Sequence, residues 1–305
     1  MFVSAKANKF FAAINFMNPV RFLGKCLTDP PAAWVSAKLV ARLYYGQAYW
    51  KMYPTSPLRC RLDGGGELLL EPGHSFTQCL WPAVDNYEPD VRAALHHFLK
   101  PGATFVDCGS NIGYFSVLAG RLVGPDGRVF AIEANPVTFH LLERNLQLNG
   151  CGVALHCALV TEPGEVELFV PRQTGDVYSS TRRGGLVQGE DIEVYKVPGR
   201  SLDEVIASLK LDHVDLLKVD IEGAELDVLR SARRVLHELR PIVICEYGTN
   251  TWPAFDATVE SLLALMDECN YSVGMFDAKR GIVTPVDNEF WNSSYANMIL
   301  QPKAA

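Results

Sequence analysis

The sequence predicts an α/β protein built on a mostly parallel sheet with helices on both faces. From about Pro89 onward, short aliphatic and β-branched runs alternate with longer amphipathic stretches, which is the pattern of strands joined by helices. The last two of these runs are separated by a loop alone, DAKRGIVTPVDNEFWNSS. Because a parallel strand needs a crossover connection, this spacing predicts an antiparallel final strand.

The predicted elements follow in chain order. A hairpin is expected where two apolar runs flank a glycine turn, in RCRLDGGGELLLEPG (59–73). The strands expected in the sheet are TFVDC (104–108), RVFAIE (128–133), VALHC (153–157), VDLLKVD (214–220), PIVICEY (241–247), YSVGMF (271–276) and YANMILQ (295–301). The helices expected between them span residues 113–122, 136–149, 223–236 and 256–269. An added strand pair, EVELFV (165–170) and DIEVYKV (191–197), is expected before VDLLKVD.

The composition is that of an ordinary soluble globular protein. The chain has 305 residues, of which 48% are apolar and 21% charged, and it contains no run of 18 apolar residues that would span a membrane. The short apolar stretch FFAAINFM lacks a cleavage-site pattern, so no signal peptide is expected. Eight cysteines without a CxxC pair predict reduced core thiols and a cytoplasmic location. A net charge of −7 argues against a general nucleic-acid binder.

Residues 1–57 are predicted to form a separate helical N-terminal extension, rich in aromatic residues and broken at Pro19 and Pro30–Pro31. Residues 1–60 contain eight Lys or Arg and one acid, which is a net charge of +7 against −14 for the remainder. Three interpretations stay open: a cap that completes the core, a lid or homodimerisation arm, and a peripheral contact with an anionic membrane surface.

The stretch FVDCGSNIGYFS (105–116) indicates a ligand site at the carboxyl end of the first sheet strand. Gly109 allows a sharp turn and the close approach of a ligand to the backbone, and Gly113 opens a helix whose amide end faces the same space. The dinucleotide fingerprint GxGxxG is broken, because position 111 is Asn and position 114 is Tyr. The pattern therefore favours a smaller, less phosphate-dependent ligand.

The next strand ends in AIEANP, which places Glu133 24 residues after Gly109. A carboxylate at this position can accept hydrogen bonds from both hydroxyls of a ribose, so the ligand is expected to contain a nucleoside. The alternative is that Asp107 and Glu133 only cap the helices that follow them.

Three regions of the chain together resemble the FkbM family of S-adenosylmethionine-dependent methyltransferases. They are the lead-in NYEPDVRAALHHFLKPGATFVDCGSNIG (86–113), the pair FVDCGSNIGYFS and VFAIEANP, and LLKVDIEGAELDVLRSA (216–232), which is similar to the family signature. The resemblance covers about residues 58–301 and implies a methyltransferase domain at 58–305. It implies a Rossmann-like, seven-stranded class I methyltransferase fold, S-adenosylmethionine as cofactor, and methyl transfer, usually to a hydroxyl oxygen of a sugar or natural product.

The same resemblance implies a set of cofactor-binding residues. Those around the methionine part are Asp107, Gly109, Ser110, Asn111 and Gly113. Glu133 is expected to hold the ribose, and the adenosine is expected beside Ala134, Asn135 and Ala158. Glu88, in the lead-in, is expected near the cofactor.

Methyl transfer to a hydroxyl needs the nucleophile and the methyl group in line, and a group that takes the hydroxyl proton. The segment LLKVDIEGAE supplies carboxylates, which also suit a cationic cofactor. Asp220 is the first catalytic candidate and also a cofactor contact; Glu222 is the second candidate and Lys218 the third. Glu222 and Glu225 fall three residues apart at the predicted start of a helix, so the alternative for both is stabilisation of its N-terminus, worth about 0.3–1 kcal/mol.

Glu246 ends the apolar strand PIVICEY and is expected to orient the acceptor. Together with Asp220 it would suit a metal ion. Tyr247, however, follows Glu246 where divalent-cation-dependent O-methyltransferases have an Asp-Asn pair, so no catalytic metal is expected. No histidine stands out as a general base.

The polar loop GDVYSSTRRGG (175–185) lies at the predicted mouth of the sheet. Ser179 and Ser180 match a serine pair that is frequent in the family at this place. Arg182 and Arg183 are candidates for holding an acidic or polyhydroxylated acceptor. The alternative is a mobile, solvated loop.

Two other functions stay open at this point. A nicotinamide-dependent oxidoreductase shares the fold and the ribose acid, but the chain lacks both the glycine fingerprint and a Tyr-xxx-Lys motif. A non-catalytic cofactor-binding module is opposed by the intact Asp107, Gly109, Glu133 and Asp220. The expected partner is a small-molecule or saccharide acceptor, and no motif in the chain specifies which one.

Overall fold

A computed structural model describes residues 48, 50–53, 55–172, 178–183 and 191–304. The chain divides into two units, one of Met1–Leu58 with Leu70–Asp85 and one of Arg59–Leu69 with Asn86–Ala305. The predicted N-terminal extension lies mostly outside the described residues, and its boundary near residue 57 stays a prediction. Among the described residues, no helix combines the length and the apolarity that crossing a bilayer requires.

The strands are short, and most are bounded by turns. In chain order they are β1 (Leu58–Arg61), β2 (Glu67–Leu70), β3 (Thr104–Cys108), β4 (Arg128–Glu133), β5 (Val153–His156), β6 (Ala158–Leu159), β7 (Gly164–Pro171), β8 (Ile192–Arg200), β9 (Leu216–Val219), β10 (Ile242–Gly248), β11 (Tyr271–Asp277), β12 (Ile282–Pro285) and β13 (Tyr295–Pro302). The β1–β2 pair confirms the predicted glycine-turn hairpin.

The helices follow the strands in the expected alternation. They are α1 (Ser75–Ala83), α2 (Pro89–Phe98), α3 (Tyr114–Val123), α4 (Pro136–Asn149), α5 (Leu202–Ser208), α6 (Glu225–Arg230), α7 (Val259–Glu268) and α8 (Asn288–Trp291). A π-helical turn at Val235–Leu239 and a 3-10 turn at Trp252–Phe255 complete the set among the described residues.

The central sheet has the strand order β12-β11-β13-β10-β9-β3-β4-β5. Strands β10, β9, β3, β4 and β5 run parallel to one another, and β13 lies antiparallel between β10 and β11. The predicted α/β fold with an antiparallel last strand is therefore confirmed. The sheet has eight strands rather than the expected seven, because Ile282–Pro285, expected as loop, pairs with β11 and forms the edge of the sheet.

The sheet register separates an apolar face from a polar row. Val106, Leu217 and Val243 are fully buried neighbours in one large hydrophobic core. Asp107 and Lys218, one residue further along their strands, are also paired in register and point to the opposite face. The carboxyl ends of the parallel strands therefore bring ionisable side chains together on one face.

A second sheet of three strands, in the order β6-β8-β7, lies outside the central one. It contains the added strand pair that the sequence predicts, with β7 and β8 antiparallel from Gly164–Gly199 to Pro171–Ile192. The strand expected at 153–157 ends at His156, and Ala158 then joins β8 instead of continuing β5.

Three further expectations are corrected. The helix expected at 223–236 is divided, because the Asp203 carboxylate accepts hydrogen bonds from the Arg234 and Val235 amides and starts a separate helical turn there. The helix expected at 256–269 begins at Val259, where the Thr258 side chain caps it. Helices α1, α5 and α8 were not expected, although Ser201 and Glu204 form a capping box at the start of α5.

Candidate active site

The loop between β3 and α3 is held by the neighbouring strand. Backbone amides of Gly109 and Ser110 both donate to the Ile132 carbonyl, at 3.0 Å, and the Ser110 hydroxyl donates to the same oxygen. Asn111 adopts a left-handed conformation with φ of 49°. We call residues 109–113 the cofactor loop, after the role that the sequence predicts for it.

Gly109 is required by the fold itself. Its φ is +78°, and a Cβ atom placed on it would lie 1.8 Å from the Asp220 carbonyl oxygen. The sequence predicts that a ligand approaches this glycine closely. In the structure, the atom that comes closest is the backbone carbonyl oxygen of Asp220, which follows β9. Gly109 therefore brings the cofactor loop and Asp220 together.

Glu133 connects two loops at the end of β4. Its Oε2 accepts a hydrogen bond from the Asn111 amide at 2.9 Å, and its Oε1 accepts one from the Asn135 amide at 2.8 Å. Burial raises the pKa of Glu133 to about 7, although these amides act in the opposite direction. The two carboxylate oxygens together offer about four lone-pair sites, so Glu133 can still accept a ribose hydroxyl beside these backbone amides. Asn135, rather than Glu133, caps helix α4 through the Val137 amide.

Asp107 lies beneath the cofactor loop and is fully buried, at 0% exposure. Its Oδ2 accepts a hydrogen bond from the Ser116 hydroxyl at 2.5 Å, while Oδ1 has no hydrogen-bond partner. Burial raises the pKa of Asp107. The contact with Ser116 means that Asp107 also anchors the first turn of α3.

The two alanines expected beside the adenosine lie near each other. Ala158 is buried in the small apolar cluster of the second sheet, and Ala134 packs against that cluster. His156 bonds the Ala134 carbonyl oxygen through Nε2 at 3.0 Å and stacks on Phe139. Two stacked rings, those of His156 and Phe139, therefore lie at the end of β5, and the sequence did not indicate them.

Lys218 is the buried cation of the site. Its Nζ donates to Asp220 Oδ2 at 2.6 Å and lies 5.0 Å from the centre of the Phe115 ring. Burial alone would lower the pKa of Lys218, but the carboxylates of Asp220 and Asp107 raise it far above the usual value. These charges favour the ammonium form of Lys218, which suits an electrostatic part in the site better than that of a general base.

Two further carboxylates lie near the Lys218–Asp220 ion pair. They belong to Glu225, at the start of α6, and Glu246, in β10. Glu246 is 5% exposed, and its carboxylate has no hydrogen bond or ion pair with any described residue. Burial, followed by the charge of Asp220, raises the pKa of Glu246 well above its usual range. Glu225 Oε1 accepts the Ile221 and Gly223 amides at 2.9 and 3.1 Å, and burial raises its pKa to about 7.

Glu222 does not share a helix face with Glu225. It precedes helix α6 in a left-handed conformation, with φ of 57°, and Gly223 follows with φ of +110°. The helix begins only at Glu225. The expected (i, i+3) arrangement of these two acids is therefore wrong, because the chain turns between them.

Glu88 approaches from the start of α2, where it is the N-cap residue. Burial and the charge of Asp220 raise the pKa of Glu88 to about 7, and its Oε2 is buried without a hydrogen-bond partner. Asn297, opposite Glu246 in the β10–β13 register, likewise has a buried Oδ1 without a partner. The sequence did not suggest Asn297, since only the antiparallel register places it beside Glu246.

The described part of the polar loop, residues 178–183, is tied to the body of the chain. Ser179 Oγ accepts a hydrogen bond from Asn135 Nδ2 at 3.0 Å. Arg182 donates to Asp256 Oδ2 at 2.7 Å and to the Ala254 carbonyl, and its guanidinium stacks on Phe255. Arg182 is thus engaged within the chain, which opposes the expectation that it holds an acceptor. Arg183 is exposed.

A sequence profile described as the methyltransferase FkbM domain matches residues 107–273, more than half of the chain. The chain belongs to the FkbM methyltransferase family. This confirms the family that the sequence motifs indicated and, with it, S-adenosylmethionine as the cofactor. The matched segment of this FkbM chain includes the cofactor loop, Glu133, and the acids that follow β9 and end β10.

The FkbM chain is 34% identical over 176 residues to the methyltransferase sdnD of Sordaria araneosa, covering 48% of this chain and 65% of the relative. It is 26% identical over 159 residues to the hexuronic acid methyltransferase AglP of Haloferax volcanii, covering 52% and 61%. The chain thus spans less than two thirds of the length of these curated relatives. A TehB-like methyltransferase structure from Corynebacterium glutamicum has a TM-score of 0.42, with 9% identity, covering 72% of this chain and 92% of that one.

Proposed function

We propose that the protein transfers the methyl group of S-adenosylmethionine to a hydroxyl oxygen of a sugar or natural product. The observation that carries the proposal is the row of acids at successive carboxyl ends of one parallel sheet in an FkbM chain. Glu133 ends β4, Asp220 follows β9, and Glu246 lies near the end of β10. Such an edge suits a ligand that combines a ribose with a positive charge.

The residues present fit the cofactor. Glu133 has free lone pairs for ribose hydroxyls, and the unpartnered Asp107 Oδ1 lies below the cofactor loop. Among the described residues, several acidic side chains surround Asp220 beside the ammonium of Lys218. When bound, S-adenosylmethionine supplies a sulfonium-activated methyl group as the electrophile.

The chain's own residues orient the acceptor and remove its proton. Asp220 is held by Lys218 at 2.6 Å, so its position is fixed and it can accept a hydrogen bond from the acceptor hydroxyl. Glu246, whose carboxylate is unpartnered among the described residues, is the second acceptor for that proton. The printed name of the relative AglP, a hexuronic acid methyltransferase, supports a sugar acceptor.

The test uses methyl-labelled S-adenosylmethionine with panels of sugars, glycosides and hydroxylated natural products. We expect labelled product with the methyl group on oxygen, and a fall in turnover of roughly 10²–10⁴-fold in Asp220→Asn. Asp212→Asn is the matched control, since Asp212 is an exposed carboxylate before the opposite end of β9. Asp212→Asn should keep wild-type turnover.

Calorimetry separates this function from the two alternatives. S-Adenosylhomocysteine should bind and NADH should not; the reverse would favour an oxidoreductase. Binding without transfer to any acceptor class would favour a non-catalytic module. A methyl group found on nitrogen would overturn the O-methyl assignment while keeping methyl transfer.

A further inference from the structure

Three carboxylates from three different elements converge beside Lys218. Asp220 follows β9, Glu225 begins α6, and Glu246 belongs to β10. One carboxylate oxygen from each lies within 4.8 Å of the other two. We call Asp220, Glu225 and Glu246 the carboxylate trio.

The spacing of the trio matches the reach of one hard cation. Two oxygens bound to the same ion lie at most twice the metal–oxygen distance apart, which is about 4.2 Å for Mg²⁺ and about 5 Å for Ca²⁺. The oxygens of the trio lie within 4.8 Å of one another, which is inside the limit for Ca²⁺; for the smaller ions the side chains would have to close by a few tenths of an ångström. Three oxygen ligands without nitrogen or sulfur favour Mg²⁺, Mn²⁺ or Ca²⁺ over Zn²⁺.

The trio is short of positive charge. Lys218 forms an ion pair with Asp220, but neither Glu225 nor Glu246 has an ion-pair partner among the described residues. Burying an uncompensated carboxylate is costly, so these two buried groups need a further cation or proton. Either a proton on each of these carboxyls or one bound cation shared by the trio would meet this need.

An independent observation points to a ligand. Glu225 is 0% exposed, and its Oε2 has no hydrogen-bond partner, whereas its Oε1 is fixed by two backbone amides. The side chain is therefore held in position with one oxygen left to bind. Glu246, at 5% exposure, likewise directs an unpartnered carboxylate into the trio.

We propose that the carboxylate trio binds one divalent cation of the Mg²⁺, Mn²⁺ or Ca²⁺ class. The expectation of no catalytic metal considered Asp220 with Glu246 and rested on Tyr247, which stands where an Asp-Asn pair would supply the next ligand. The third ligand comes instead from the first residue of α6. Cation binding by the trio is independent of which acceptor the enzyme methylates.

The experiment uses the full chain, stripped with EDTA and free of cofactor and acceptor, with Mn²⁺ as the probe. Electron paramagnetic resonance and calorimetry should show one saturable Mn²⁺ per chain, displaced by Mg²⁺ or Ca²⁺. Glu246→Gln and Asp220→Asn should each weaken Mn²⁺ binding by at least roughly tenfold, the loss seen even for residues that only support a ligand. Glu238→Gln, an exposed carboxylate paired with Arg234, is the matched control and should bind Mn²⁺ normally.

Three results would overturn the proposal. One is the absence of saturable binding at millimolar Mn²⁺, Mg²⁺ and Ca²⁺. Another is unchanged Mn²⁺ affinity in both trio variants, each shown to be folded by its thermal unfolding curve. The third is complete loss of Mn²⁺ when S-adenosylhomocysteine saturates the protein, which would assign the trio to the cofactor's ammonium group. None of these readouts needs catalysis, so failure here leaves the proposed methyl transfer standing.

Discussion

Glu133 supports the fold in addition to its predicted contact with the ribose. Its two oxygens accept amides from the loops after β3 and β4, so the residue aligns both loops before any cofactor arrives. Replacing it by Ala would leave those amides without an acceptor in addition to removing the ribose contact. Measuring the cofactor affinity as a function of pH separates the ribose contact from the loop contacts better than replacing Glu133 by Ala does.

We expect the affinity for S-adenosylhomocysteine to rise with pH through the pKa of Glu133, which burial places at about 7. Below that pH the carboxyl is protonated and accepts ribose hydroxyls poorly, so affinity should fall by up to about tenfold per pH unit. Above it the affinity should level off. Calorimetry between about pH 6 and pH 8 measures this, and Glu133→Gln should remove the dependence. A flat wild-type profile would contradict it.

The Glu133 carboxyl should also make the stability of the fold depend on pH. As pH rises, its contribution to stability should fall while the cofactor affinity rises. The pKa of Glu133 is about 7 in the folded chain, above its ordinary value of 4.5, so the folded state binds more protons than the unfolded state between these two pH values. The contribution of Glu133 to the free energy of unfolding should therefore fall as pH rises from about 4.5 to about 7. Comparing urea unfolding of wild type and Glu133→Gln across this range tests the sign.

Gly109→Ala should be much more destabilising than an ordinary left-handed glycine substitution. It adds a Cβ atom 1.8 Å from the Asp220 carbonyl oxygen, in addition to the strain at φ +78°. Gly150→Ala is the matched control, since Gly150 has φ +58° and nothing within 4 Å of an added Cβ. We expect the control to cost about 1–2 kcal/mol of unfolding free energy and Gly109→Ala at least twice that. Equal losses in urea unfolding would show that Asp220 does not constrain the loop.

At the scale of elements, helix α4 connects the N-terminal hairpin to the cofactor loop. Buried Asn145 accepts the Leu69 amide at 2.7 Å and donates to the Ile112 carbonyl at 2.8 Å. One turn later, Asn149 pairs with both backbone groups of Glu67 but forms no hydrogen bond with the cofactor loop. Two similar residues on one helix therefore hold the same strand, and only one of them also holds the loop.

Asn145→Ala should reduce both stability and cofactor affinity, whereas Asn149→Ala should reduce stability alone. Each change leaves buried backbone groups unpaired, at about 1–3 kcal/mol of unfolding free energy. Only Asn145→Ala also frees the Ile112 carbonyl in the cofactor loop. Urea unfolding and calorimetry with S-adenosylhomocysteine measure the two effects. An equal loss of affinity in both variants would mean that the hairpin, rather than the Ile112 contact, supports the loop.

Residues 178–183 provide a second connection between elements. They bridge Asn135, which caps α4, and Asp256, which follows the turn at Trp252–Phe255. Ser179, which matches the family's serine pair, and Arg182, which the sequence offered as an acceptor contact, both serve this connection. A residue type suited to a ligand is equally suited to hold a loop, and only its partners distinguish the two uses.

At the scale of the whole molecule, the uneven charge is the feature left without an assigned role. Residues 1–60 carry +7 against −14 for the rest. Most of this basic segment lies outside the described residues, so the cap, the lid or dimerisation arm, and the membrane contact stay predictions. They differ in what removal of the segment would do.

Deletion of residues 1–53 distinguishes the three. A cap predicts an insoluble or strongly destabilised product, because an apolar helix face would lose its cover. A lid or dimerisation arm predicts a soluble product that binds S-adenosylhomocysteine but has lost acceptor turnover or changed its mass in solution. Membrane contact predicts that the full chain co-sediments with anionic vesicles, and that deletion or high salt abolishes this. A soluble product with normal turnover, mass and vesicle behaviour would contradict all three.

The elements of the sheet could be predicted because their signals are local. Helix α4 begins and ends at the predicted residues 136 and 149, and β3 and β4 also have their predicted bounds. Proline at the start of α4, glycine at its end and continuous apolar strands are effects of neighbouring residues on one another. The prediction of one helix at 223–236 was wrong because its cause is not local. Asp203, which divides the helix, is 31 residues from Arg234 in the sequence.

The sequence by itself determined the fold class, the family and the acids at the strand ends, because strand period and motif spacing place residues at one edge of a parallel sheet. Only the tertiary structure decided what those residues touch. In the structure, Gly109 packs against the Asp220 carbonyl and Arg182 donates a hydrogen bond to Asp256. The carboxylates of Glu225 and Glu246 lie close together. Such contacts depend on strand register and on where helices cross the sheet, which the packing of residues far apart in the chain sets and no local pattern records.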